Sequence, residues 1–250
     1  MANLTLNYFN PSLGKATSAN VLLPDPGIPG PYAVFYLLHG FSDDHTVWQR
    51  RTSLERYVAG LPVIVVMPDG GLSFYCDDPD GMKWETAIAV DLVKYVDTLF
   101  QTRADRTGRC IGGLSMGGYG AVKLALKHPE TFVSATSHSG AMGFAHSSWE
   151  RYASVIRINQ FRHIYEKSVA GGAEDLFALA EKLDPTLRPS LRIDCGTEDF
   201  LLEDNRNYTA HLKSIGYAHE YEEFPGSHEW GYWDTHVQRA IAFHRNLGGW

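Results

Sequence analysis

The sequence predicts an α/β fold with a mostly parallel central sheet and helices on both faces. Short unbroken apolar runs alternate with helix-length amphipathic stretches, as expected when strands are buried between two helical layers. The chain of 250 residues, 44% hydrophobic and 20% charged, is long enough for a single domain, 1–250, with a large core. No repeat or low-complexity tract breaks the alternation.

In chain order, Thr17 to Pro24 reads as an early strand, antiparallel at the sheet edge. Pro24 to Pro31 is a turn-rich connector, because its prolines and glycines remove ladder donors. Ala33 to Leu38 and Val63 to Met67 are apolar throughout and read as central strands. From Trp84 to Phe100, the residues Ile88, Leu92, Val96 and Leu99 recur at helical spacing. Arg109 to Gly112 is a short strand that runs into a glycine-rich turn, and Gly120 to His128 is a helix stopped by Pro129. Phe132 to Ser137, Leu191 to Cys195 and Glu220 to Phe224 are the later strands, followed by a C-terminal helix. Between Gly140 and Pro189 the strand pattern lapses, and residues 141–189 are expected to form a small cap or lid insertion. A structureless loop of that length is uncommon inside a compact domain.

Composition narrows the function classes. A net charge of −7 without any basic run argues against a nucleic-acid partner. The longest apolar run, Tyr32 to Leu38, is strand-sized, so no membrane span is expected. The N-terminus lacks the basic start and apolar stretch of a secretory signal. Cys76, Cys110 and Cys195 are an odd set without CxxC spacing, which suggests neither a disulfide framework nor a zinc site. A cytoplasmic protein with no metal and no cofactor is the expectation.

The chemistry concentrates at three strand ends. In Gly113-Leu114-Ser115-Met116-Gly117 a strand leads in and a helix leads out, and the glycines permit a sharp turn that exposes the serine oxygen. A hydroxyl becomes a nucleophile only when a base removes its proton. Partners in the order acid, then histidine, each on a loop after a strand, complete such a site. Asp199 follows the strand Leu191 to Cys195, and His228 follows the strand Glu220 to Phe224. His228 would take and return the proton, while Asp199 would hold the imidazole tautomer. The rivals are less well placed. His236 and His244 fall within the last helical stretch, and His211 and His219 precede the final strand as exposed helix or loop residues. Glu198 adjoins Asp199, whereas Glu203 and Asp204 lie near a helix start, where acids complement the dipole. The oxyanion of an acyl-transfer intermediate needs N–H donors. Met116, directly after the serine, supplies one, and Phe41 in the loop after Leu38 the other, with Ser42 as second choice. His39 reads as loop support and Cys195 as a buried strand residue. Phe144, Trp149, Tyr152 and Trp230 are candidate apolar pocket walls.

With these residues placed, the chain resembles the esterase D group of α/β-hydrolases, which includes tributyrin-type and feruloyl esterases, S-formylglutathione hydrolases and mycolyltransferases. The matching pieces are Leu38-His-Gly-Phe41, Val66-Met-Pro-Asp-Gly70, Lys83-Trp-Glu-Thr86, Gly113-Leu-Ser-Met-Gly-Gly118, Cys195-Gly-Thr-Glu-Asp199 and Pro225-Gly-Ser-His-Glu-Trp230. Asp91-Leu92 stands where the family often has Glu-Leu. The resemblance implies that Ser115, Asp199 and His228 form a triad, that Phe41 and Met116 give oxyanion amides, and that no metal is needed. It implies a serine carboxylesterase acting on short-chain or aryl, feruloyl-like esters, with S-formylglutathione hydrolysis or acyl transfer as the alternative. The partner would be a small-molecule ester, and family members often form homo-oligomers.

Overall fold

Eight strands form one sheet in the order β1-β2-β4-β3-β5-β6-β7-β8. They are β1 (Ala2–Asn10), β2 (Lys15–Leu23), β3 (Ala33–Leu38), β4 (Val63–Pro68), β5 (Arg109–Leu114), β6 (Ser134–His138), β7 (Ser190–Gly196) and β8 (His219–Phe224). The computed structural model describes residues 1–147 and 170–250. β1 and β2 pair antiparallel, as do β2 and β4, and every pairing from β4 through β3 to β8 is parallel. The parallel strands therefore present their carboxyl ends along one side of the sheet, which is where open α/β sheets place their sites.

Alternation of side chains along β3 and β4 assigns the two faces. Val34, Tyr36, Leu38, Ile64 and Val66 pack with helix α5 (Met116–Lys127), while Phe35, Leu37, Val63, Val65 and Met67 pack on the other face. That second face is covered by α1 (Val47–Arg51), α2 (Leu54–Val58) and the C-terminal helix, Trp230–Gly248. Full burial of a Val, Leu or Phe side chain is worth about 1.5–3 kcal/mol, so these runs favour interior places for β3 and β4 over an exposed edge. The outermost strand β8 instead carries Glu220 and Glu222, which pair with Arg192 of β7 and charge an edge that would otherwise invite pairing.

Three local features differ from the sequence expectation. β1 is an additional edge strand, too solvent-exposed to show a hydrophobic pattern, with Phe9 pointing outward. The segment expected as one helix from Trp84 to Phe100 is α3 (Trp84–Thr86), a π turn over Ala87–Leu92, and α4 (Val93–Leu99). The side-chain amide of Asn10 donates to the Ala87 carbonyl (3.2 Å), an outside partner for a π-wound backbone group. Asp91 in the same turn accepts the Ser12 N–H (3.2 Å), so it docks the β1–β2 turn on this helix. Finally, α5 starts at Met116, ahead of the expected Gly120, and β6 starts at Ser134, because Phe132 still bonds through its N–H to the His128 carbonyl. Within 170–189 the chain forms α6 (Leu176–Lys182) and a 3-10 turn, Pro185–Leu187. α7 (Leu202–Ser214) follows β7, and the C-terminal helix is α8. No helix among the described residues is long and apolar enough to cross a membrane.

Candidate active site

Ser115 sits between the end of β5 and the first residue of α5, with φ 53° and ψ −117°. L-residues avoid this region, which is the first central position of a type II′ turn. The surroundings over-determine it. Its N–H donates to the His138 carbonyl (3.0 Å), and its own carbonyl accepts from Tyr119 and Ala141 (3.1 Å each). Neighbouring backbone presses on both flanking glycines. A methyl group on Gly113 would lie 2.5 Å from the Gly117 carbonyl, and one on Gly117 would lie 2.5 Å from the His39 carbonyl. The turn can therefore close only without side chains at 113 and 117.

Asp199 lies past β7 and His228 past β8, and backbone hydrogen bonds join the two loops, from Thr197 to the Phe224 carbonyl and from Glu198 to that of Gly226. The Asp199 carboxylate is fully buried and accepts the Leu201 N–H (2.8 Å). His228 Nδ1 is 2.8 and 3.1 Å from the two carboxylate oxygens, and its Nε2 is 3.0 Å from Ser115 Oγ. A carboxylate only accepts, so Nδ1 carries the proton and Nε2 is free to accept from the serine hydroxyl. This chain of hydrogen bonds is the arrangement that general-base activation of a hydroxyl needs.

The loop after β3 runs beside Ser115. A methyl on Gly40 would be 2.6 Å from Leu114 Cδ1 and 3.6 Å from Ser115 Cβ. His39 holds this loop: its Nδ1–H donates to the Gly40 carbonyl (2.7 Å) and its Nε2 accepts the Gly70 N–H (2.8 Å). Phe41 is half-buried, and Ser42, at φ 69°, is exposed. Met116 opens α5, so its N–H is one of the first-turn amides without an intrahelical acceptor. Among the described residues no group of His, Cys, Asp and Glu is arranged to hold a metal ion.

The Esterase family model matches residues 10–244. The chain belongs to the Esterase family. It is 29% identical to an acetyl esterase of Caldicellulosiruptor saccharolyticus over 97% of this chain and 98% of that protein. Among solved structures, the fluorophosphonate-binding serine hydrolase F of Staphylococcus aureus matches with a TM-score of 0.85 at 30% identity, covering 97% of this chain and 98% of that one. An S-formylglutathione hydrolase of the same organism, FrmB, matches with a TM-score of 0.83 at 31% identity and the same coverage. The protein is a serine esterase with an α/β-hydrolase fold, and its neighbours fit the esterase D type.

In this esterase the rival residues are engaged elsewhere. His244 is buried in α8 between Ser134 Oγ and Thr136 Oγ1, and His236 stacks on Phe224. His211 and His219 are half-buried, not exposed, and bond to the carbonyls of Phe177 and Tyr217. Glu203 pairs with Arg206 on the surface of α7, Asp204 is buried in the same helix, and Glu198 caps the Gly226 N–H. Cys195 is fully buried, and burial pushes its thiol far above the ordinary range, the opposite of an activated nucleophile.

Of the candidate pocket walls, Phe144 has no exposed surface and stacks face to face on Phe74 (3.9 Å, 9°). Trp230 is half-buried and packs edge-on against Trp48 and Trp233, and Trp233 in turn meets the His228 ring at 4.9 Å. Trp149 and Tyr152 lie outside the described residues. Sequence reasoning missed Phe74 and Tyr75, which carry positive φ (49° and 54°) without being glycine. Phe74 lies 6.2 Å from the Phe41 ring, and the Tyr75 hydroxyl donates to the His39 carbonyl (2.9 Å). Lys123, fully buried on α5, fixes this bend by donating to the Tyr75 carbonyl (2.7 Å) and pairs with Glu174 and Glu85. Burial opposes the charge on Glu85, but His128, Lys123 and Lys127 outweigh it and hold the carboxyl down at about 2.

Proposed function

We propose that this esterase hydrolyses short-chain or aryl carboxylic esters through an acyl-enzyme, with Ser115, His228 and Asp199 as its triad. The observation that carries the reading is the continuous contact from Asp199 through His228 (2.8 Å) to Ser115 Oγ (3.0 Å). Ser115 attacks the ester carbonyl as His228 Nε2 takes its proton, and the imidazolium passes that proton to the departing alkoxide. Water, deprotonated by the same nitrogen, then releases the acid. The amides of Phe41 and Met116 donate to the oxyanion in both steps. Among the described residues, Trp230, half-buried against Trp48 and Trp233, is the candidate wall of the acyl side. Three buried, unpaired cysteines suit a reducing compartment such as the cytoplasm.

The likeness to an acetyl esterase supports a short acyl group, and the likeness to an S-formylglutathione hydrolase supports thioester hydrolysis as the second reading. A fluorophosphonate should label Ser115 in the folded protein, read by peptide mass, and Ser115→Ala should abolish labelling. An ester panel from acetyl to octanoyl and feruloyl, with S-formylglutathione included, should show highest kcat/KM on short or aryl esters. A label on another residue would remove the triad reading, and a clear preference for S-formylglutathione would replace the substrate reading.

A further inference from the structure

Phe200 follows Asp199 directly and keeps 56% of its surface in water. Its backbone is pinned on both sides. The Asp199 carboxylate takes the Leu201 N–H (2.8 Å) and the Asp199 carbonyl takes that of Leu202 (3.1 Å), so residue 200 is held at the apex of a tight turn. The ring centroid lies 4.6 Å from that of His228, with the planes at 54°. Trp233, the imidazole's other aromatic neighbour, is buried among the apolar residues under the sheet. Among the described residues two rings touch the imidazole, and one belongs to the core while the other faces solvent. A single exposed apolar side chain is ordinary on a protein surface. What sets Phe200 apart is its neighbour.

In the reaction proposed above, His228 Nε2 delivers a proton to the oxygen of the departing alcohol, which must come within hydrogen-bond reach, roughly 3 Å, of that nitrogen. The carbon attached to this oxygen then lies within a few ångströms of whatever flanks the imidazole. We propose that Phe200 is the wall of the leaving-group site, a specificity-determining residue that favours esters of aromatic or bulky apolar alcohols over those of small alkyl alcohols. This assignment rests on the catalytic reading of Ser115 and His228. It also has a kinetic signature. The acyl-enzyme no longer holds the alcohol, so Phe200 acts before the alcohol leaves and its effect belongs to acylation.

Phenyl acetate and ethyl acetate give the same acetyl-enzyme and differ only in the alcohol. Phe200→Ala should lower kcat/KM for phenyl acetate about tenfold, the factor one aromatic contact is worth, and leave ethyl acetate within about twofold. Phe200→Tyr, which keeps the ring, should restore the preference. The ratio of phenyl acetate to phenyl butyrate and the pH profile of kcat/KM should stay as in the wild type. An equal fall for both alcohols, or a displaced pH profile, would make Phe200 a support of the imidazole and overturn the assignment, as would no change at all. Ser115→Ala in the same assays separates the two levels. Retained hydrolysis there would sink the mechanism and this wall together. An inactive Ser115→Ala beside unchanged selectivity in Phe200→Ala would sink the wall alone.

Discussion

Two histidines near the C-terminus, His228 and His244, face their partners in ways that contrast point by point. His228 has a carboxylate on Nδ1, a serine hydroxyl on Nε2 and a partly open ring. His244 has hydroxyls on both nitrogens, Ser134 at 2.8 Å and Thr136 at 3.1 Å, and is buried in the core against Phe35. Burial, with His138 nearby, pushes the His244 imidazole down to about 3. A hydroxyl can hydrogen-bond a neutral ring, but it does not neutralise a protonated one as a carboxylate does. His244 is thus built to stay neutral, whereas the mechanism proposed above has His228 carry a proton for part of each turnover. His138 also has a carboxylate on Nδ1, that of Asp194, but is fully buried.

The sharpest way to break this contrast is to exchange consequences. Ser115→Ala and His228→Ala should each cost on the order of 10⁶ in kcat, as in the best-studied serine hydrolases. His244→Gln should leave kcat nearly unchanged wherever the protein is folded, and a lethal His244→Gln beside a harmless His228→Ala would reverse the two roles. Next in size, Asp199→Asn should cost on the order of 10⁴ in kcat by favouring the wrong imidazole tautomer. Glu203→Gln should be silent in the same assay. The third expectation concerns stability. The unfolded chain binds a proton on His244 below about pH 6.5, whereas the folded chain refuses it down to about 3. Stability from this residue is therefore complete above 6.5 and falls by about 1.4 kcal/mol per pH unit on acidification through that window. Urea unfolding at graded pH should show this slope, and His244→Gln should flatten it. Glu85 adds a lower window, because its paired carboxylate loses its contribution as the pH falls from about 4.5 toward about 2.

How far the sequence revealed this site depends on the kind of interaction. Ser115, Asp199 and His228, which the structure brings into hydrogen-bond contact, were legible because each follows a strand on a glycine-bearing loop, and the ends of parallel strands lie along one side of the sheet. His39 as a loop support was legible for the same reason. Phe74 and Tyr75 were not, because aromatic residues at positive φ carry no local signature, and Lys123 holds them from a distant helix. The π turn at Ala87–Leu92 was hidden too, since its outside partner Asn10 is remote in sequence. β1 escaped notice because an exposed edge strand needs no hydrophobic alternation. The stacking of Phe144 on Phe74 was hidden as well, because the two rings are remote in sequence.

The backbone of Ser115 has a consequence beyond catalysis. At φ 53° and ψ −117° every residue with a Cβ is penalised, commonly by about 1–3 kcal/mol, and glycine is not. The folded protein would therefore be more heat-resistant with the Ser115 side chain deleted altogether. Ser115→Gly should melt above Ser115→Ala in calorimetry despite the extra freedom of its unfolded chain. With Ser115 as the proposed nucleophile, natural selection for turnover and laboratory selection for thermal endurance would pull on this one residue in opposite directions.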